Sequence, residues 1–180
     1  MKILHLILFL GLALNTSCNS DDDQPQNPID KLPPATQTGE QTFGCLINGE
    51  AFIPDNFGMG RPNAFYQFVN GSYTLGISAS YSGGEHLESV AIGAIDVEPI
   101  IASTYNLKEL ESGNYFGRYS IRGGLLLNKI TTKSLPGNLI ITNFDPENFI
   151  ISGTFEFTVF DNDGKEIKVT DGRFDMLYTN

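Results

Sequence analysis

Three side chains in this 180-residue chain offer reactive or coordinating chemistry: the thiols of Cys18 and Cys45 and the imidazole of His86. A cysteine activated by a nearby histidine, itself oriented by an Asn or Asp, is the arrangement of a thiol hydrolase. Cys45, however, stands in Phe43-Gly44-Cys45-Leu46-Ile47, in phase with Phe43 and Ile47 on one face of a strand. That phase predicts a core thiol, which packs as a small hydrophobe and is inert. His86 follows Gly83-Gly84-Glu85 in a predicted turn, and His5 is the only other histidine, so a histidine metal cluster lacks ligands. Glu109 and Glu111 could serve as paired glycosidase carboxylates, but alternate acids in one segment ordinarily face solvent. Asp161-Asn162-Asp163-Gly164-Lys165-Glu166 is rich in oxygen ligands, yet its glycine is fourth, where a calcium loop of the EF-hand type needs it sixth. Gly58-Met59-Gly60-Arg61-Pro62 is followed by a β-like segment, so its amides would not converge on a phosphate as at a helix start. The expectation is a non-enzymatic chain with no catalytic, cofactor or metal site.

Cys18 has different chemistry. Lys2 precedes an apolar run from Ile3 to Leu14, too short to span a bilayer but of the length of a cleavable export signal. Thr16 and Ser17 place small side chains directly before the cysteine, and Asp21-Asp22-Asp23 follows it. The arrangement resembles a bacterial lipoprotein signal over residues 1–17, with cleavage before Cys18 and acylation of its thiol. The departure is Asn15, where such signals usually carry leucine; Leu14 lies one position earlier. The alternative is an ordinary secretory signal cut near Ala13 or Ser17, leaving Cys18 a free thiol. With Cys18 lipidated, Cys45 has no partner within the chain. One acyl chain binds a membrane only marginally, so stable anchoring needs the two or three chains that bacterial lipoproteins carry. The acidic run would be repelled by anionic headgroups, and it resembles a surface-export signal; a solvated linker without a receptor is the alternative.

Residues 18–42 are dominated by Asp, Gln, Asn, Pro and Thr, a composition that predicts a disordered acidic, proline-rich linker. Residues 43–180 are of single-domain size and need no disulfide to bury an adequate core. The formal net charge is −10. Lys2 takes one base and residues 18–42 take five acids and one base, which leaves the domain 16 acids against 9 bases. That balance argues against nucleic acid as a partner, since phosphate backbones attract basic surfaces.

After Phe43 the pattern is strand and turn throughout. Asn48-Gly49 and Asn70-Gly71 predict tight hairpins, the second joining Ala64–Val69 to Tyr73–Ala79. Leu87–Ile95 and Thr104–Leu107 read as strands. Tyr115 to Leu127 reads as one strand bent at Gly123-Gly124. Leu139–Phe144, Phe149–Phe160, Glu166–Thr170 and Arg173–Tyr178 follow, with turns at Asp145-Pro146-Glu147-Asn148, Asp163-Gly164 and Asp171-Gly172. About ten short alternating strands predict an all-β, antiparallel β-sandwich, with a β-barrel as the alternative.

The segments Thr42-Phe43-Gly44-Cys45-Leu46-Ile47-Asn48-Gly49, Gly137 to Asp145, Ile150 to Phe157 and Val169 to Asp175 together resemble a family of small Bacteroidetes-type lipoproteins with an all-β domain. The resemblance covers the domain, signal and linker. It implies location and fold but brings no activity.

The function expected is that of a lipid-anchored envelope lipoprotein acting as a binding or structural module. Its location would be the outer membrane and its face the cell surface, or alternatively the periplasm. The membrane is the partner through Cys18, and an envelope protein or a glycan is the further partner to be considered. A glycan-binding accessory protein is one alternative: the chain has no Trp, and Tyr66 and Tyr81 are the tyrosines expected to be best exposed. A weak hydrolase is the other.

Overall fold

Asn48 and Gly49, with φ of 51° and 87°, and Asn70 and Gly71, with φ of 53° and 95°, occupy the left-handed conformation that two-residue hairpins demand. These turns produce the hairpins β1 (Thr42–Ile47)/β2 (Glu50–Phe52) and β3 (Asn63–Val69)/β4 (Ser72–Ser82). The structure is a computed structural model that describes residues 27–83, 86–123, 127–132 and 135–180. The remaining strands are β5 (Leu87–Val97), β6 (Ser103–Leu107), β7 (Tyr115–Arg122), β8 (Leu127–Ile130), β9 (Gly137–Asp145), β10 (Ile150–Phe160) and β11 (Glu166–Leu177). Cys18 and the signal segment lie outside the described residues.

Among the described residues the strands form one sheet in the order β2-β1-β11-β10-β9-β6-β7-β5-β4-β3, with β8 paired to β7. Among the described strands every pairing is antiparallel except the parallel contact of Leu107 with Tyr115 between β6 and β7, and an isolated parallel bridge joins Phe65 to Thr179. The sheet doubles over itself, so its two halves share a core. Phe157 on β10 occupies the space over Gly117 on β7. The Tyr66 ring of β3 lies against Phe144 of β9 and against Tyr178, which follows β11. Backbone bonds between Thr179 and both Ala64 and Tyr66 tie the last residues to β3. The result is an all-β sandwich, not closed into a barrel.

Alternation decides which side chains enter this core. Tyr73, Leu75, Ile77 and Ala79 on β4, Val90, Ile92 and Ala94 on β5, and Phe155, Phe157 and Val159 on β10 all point inward. Phe174, Met176 and Tyr178 are buried as their spacing predicts.

Three expectations are corrected. Asp171-Gly172 does not end a strand, because β11 runs through it. The pairings Gly44↔Arg173 and Leu46↔Thr170, and Phe155↔Gly172 and Phe157↔Val169, show one extra residue in β11 opposite both neighbours. Asp171 sits there at φ 52°, so the acid–glycine pair makes a β-bulge. The expected meander is one long hairpin joined to β1. A Cβ on Gly172 would strike the Phe155 ring, which is why the bulge needs glycine.

The single bent strand expected over Tyr115 to Leu127 is likewise corrected, since β7 ends at Arg122 and β8 begins at Leu127. Gly123 has φ 111°, and β8 returns antiparallel along β7 with Arg118 opposite Ile130. Gly124 and Leu125 lie outside the described residues.

The third correction is the linker from Asn27 onward; residues 18–26 of it lie outside the described residues. From Asn27 the chain is docked: Pro28–Lys31 forms a 3₁₀ turn capped by the Asn27 side chain, Leu32 is buried, and Pro33 covers Gly44. The expected linker composition holds too few apolar residues to form a core of its own, but it borrows one from β1 and β11.

Candidate functional site

The docked segment, residues 32–41, is a strap across the outer face of β1, β11, β10 and β9. Its anchor is Asp175. Side-chain alternation aims this carboxylate away from the core, between inward-facing Phe174 and Met176, yet the strap leaves it 0% exposed. Five donors converge on it. Thr36 Oγ1 donates to Oδ2 at 2.7 Å, as do the amides of Thr38 and Glu40 at 3.0 and 3.1 Å. Ser152 Oγ and the Gly39 amide donate to Oδ1 at 2.7 and 2.8 Å. Burial by itself pushes the Asp175 carboxyl up, but the bonds from Ser152, Thr36, Glu40 and Gly39 outweigh it and bring it down to about 2. Donors to an ionised acceptor form the stronger class of hydrogen bond, so this clamp is the main polar fastening of the strap. Further bonds flank it: the Leu177 amide donates to Gln41 Oε1, and Asn143 Nδ2 donates to the Gln37 carbonyl.

One margin of the strap forms the wall of an open groove of about 650 Å³. Its lining is Ala35 of the strap with Thr104, Asn138, Ile140, Thr154, Phe155, Glu156, Asp171, Gly172 and Arg173. Strand register sets the floor. Thr104, Ile140, Thr154 and Arg173 lie in one row across β6, β9, β10 and β11. Asn138 and Glu156 begin the next row, joined by a 3.3 Å bond from Asn138 Nδ2. The β11 bulge brings Asp171 to the same edge. Arg173 donates from Nε to the Asp171 carbonyl at 3.3 Å and from Nη1 to the Pro33 carbonyl at 3.5 Å. The groove thus carries a guanidinium, two carboxylates, an amide and two hydroxyls around the exposed apolar side chain of Ile140. Such a volume is in the range of ligand clefts, and these groups suit a polar ligand that both donates and accepts hydrogen bonds.

The residues singled out from sequence fall elsewhere. Cys45 is 0% exposed, and burial pushes its thiol far above the usual range, with the Glu88 charge adding to the effect. A thiolate nucleophile is not available there. His86 is exposed in the turn after β4, where its carbonyl accepts from the Gly83 amide. Above Cys45, the Tyr119 hydroxyl donates to Glu88 Oε1 at 2.5 Å beside a cleft of about 360 Å³. Burial, the Glu88 bond and the Glu88 charge all push that phenol up. Asp161 Oδ1 is spent on the amides of Asp163 and Lys165, closing the loop on itself. Among the described residues no group of three or more His, Cys, Asp or Glu could hold a metal ion. Glu109 and Glu111 share a loop in which the Glu111 amide donates to the Glu109 carbonyl.

Tyr66 is a correction. It is buried, not exposed, and its hydroxyl accepts from the Ile100 amide at 3.0 Å. Tyr81 is exposed as expected. Sequence reasoning missed Asp175, Arg173, Glu156 and Thr36. A lone acid flanked by Phe174 and Met176 was a local signal for Asp175, but nothing local named its partners.

Comparison with protein-family models, with curated proteins and with solved structures gives no match to this chain.

Proposed function

We propose that this chain is an outer-membrane lipoprotein of the small Bacteroidetes-type group, held by acyl chains on Cys18 and turned toward the cell surface. Its β-sandwich acts as a non-enzymatic binding module, and the groove beside the strap is where a polar ligand sits. The observation that carries this reading is the Asp175 clamp. It holds the strap against the sheet so that Ala35, next to the clamped Thr36, walls an open groove of about 650 Å³. A plain spacer would have no need of four bonds to one carboxylate of the sheet. The groove's mixed charges support a ligand recognised by hydrogen bonds, such as a peptide or a glycan.

The anchor is tested by Cys18→Ala. Metabolic labelling with a palmitate analogue should be lost and the chain should leave the membrane fraction, with the domain still folded. Retained labelling or retained membrane association would refute the anchor. The groove is then tested on purified chain by screening peptide and glycan libraries with Arg173→Gln and Glu156→Gln as controls.

A further inference from the structure

Phe57 and Met59 crown the segment between β2 and β3 and are 80% and 89% exposed, on a loop that is built and not frayed. The Asp55 amide donates to the Ser80 carbonyl at 2.9 Å, and Asp55 Oδ2 accepts from the Ser82 amide at 3.0 Å. Gly58–Gly60 forms a 3₁₀ turn, with Gly60 packed against Asp55 and the Ser80 carbonyl too closely to admit a Cβ. Two large apolar side chains are therefore held out into solvent by a fixed turn, which costs stability unless something covers them.

Their place in the fold says what covers them. A cleft of about 190 Å³ is lined by Lys31 at the end of the 3₁₀ turn, by Pro33 of the strap and by Ile53, Pro54, Asn56 and Pro62 from this segment. The Phe57–Met59 loop and the chain's entry into the domain are thus one corner. Cys18 lies nine residues before Asn27. At roughly 3.3–3.6 Å per residue, that connection reaches at most about 32 Å, whatever its path. Exposed Lys31 and Arg61 flank the tip, which suits anionic headgroups in an otherwise acidic chain. Of the corner's acids, Asp55 is committed to the Ser82 amide and Asp30 is exposed.

We infer that the Phe57–Met59 tip is a second membrane contact, dipping both side chains into the interface of the bilayer that holds Cys18. Two side chains would not hold a free protein there. The anchor makes the contact intramolecular, so a weak insertion suffices to fix the domain's orientation. This rests on the lipid-anchor reading above.

The chain has no tryptophan, so Phe57→Trp installs a single reporter at the tip. The lipidated full chain would be reconstituted into phosphatidylethanolamine/phosphatidylglycerol vesicles with brominated acyl chains, alongside a matched chain with Phe160→Trp. Phe160 is also exposed but ends β10, beside the β10–β11 turn. The inference expects a blue-shifted tip reporter that loses most of its emission to the brominated lipid and is shielded from aqueous iodide, with the Phe160 reporter showing neither effect. Vesicle-bound chain whose tip reporter stays open to iodide would overturn the inference while leaving the anchor intact, and would assign the tip to a protein partner or a second copy. Equal quenching at both positions would also overturn it, since the domain would then lie on the membrane without preference. Chain that carries no acyl group and does not bind the vesicles would remove the anchor and this inference together.

Discussion

The two outer faces of the sandwich cover themselves in opposite ways. On β1, β11, β10 and β9 the cover is polar, with the strap folded over a buried carboxylate that accepts five hydrogen bonds. On β3, β4, β5 and β7 the cover is aromatic. Phe65, Gly76, Gly93 and Phe116 form one row across four strands, and the two phenyl rings occupy the space that glycine side chains would fill. Arg118 lies over the Phe116 ring, with Cζ 5.6 Å from its centroid. Aromatic side chains laid over neighbouring glycines restore packing that the glycines forgo, using residues already in the sheet. The polar face instead recruits a segment from outside it. One face is complete by itself, whereas the other depends on the chain that leads toward Cys18.

The contrast is broken most severely at Asp175. Asp175→Ala should cost about 3–5 kcal/mol, because it strands two hydroxyls and three amides in a place closed to water. Chemical denaturation measures it, and a loss below about 1 kcal/mol would mean that the strap contributes little. The native carboxyl sits at about 2, below its unfolded value near 3.9. Its contribution is therefore fully present above about pH 4 and is lost as pH falls from there through about 2. The acid sensitivity in that window should shrink in Asp175→Ala.

Phe116→Ala attacks the aromatic face and should cost less, about 1–2 kcal/mol, since it uncovers Gly93 and unseats Arg118 without stranding a buried charge. It should leave strap protection unchanged. A Phe116→Ala variant that also frees the strap would show that the two faces are coupled through the core.

Smallest is Cys45→Ala, which removes one sulfur from the shared core at a cost of about 1 kcal/mol and should leave both faces in place. Native Cys45 should resist alkylation until the domain unfolds. Rapid native labelling would contradict the burial that raises its thiol.

What the sequence disclosed and what it hid follow the same division. Alternation along Tyr73–Ala79 and Phe155–Val159 and the Asn-Gly turns are local signals, so strands, hairpins and core side chains were legible. The Asp171-Gly172 bulge was misread because an acid followed by glycine has the same appearance in a turn and in a left-handed bulge position. The strap was misread for a different reason. Its composition cannot fold alone, and the residue that fastens it lies 135 to 139 positions away. Groove residues were hidden likewise: Thr104, Thr154 and Arg173 become neighbours only through a register spanning four strands. Cys45, by contrast, could be placed from Phe43 and Ile47 alone.

The central claim is that residues 36–40 belong to the domain because Asp175 holds them. Amide hydrogen exchange reads this directly at Thr38, Gly39 and Glu40, whose N–H groups all bond to that carboxylate. In the native chain these three amides should exchange slowly. In Asp175→Asn, whose amide nitrogen faces donors where an oxygen faced them, they should exchange rapidly while the β4–β5 ladder keeps its protection. Fast exchange at all three in the native chain would contradict the account and return the strap to a free tether.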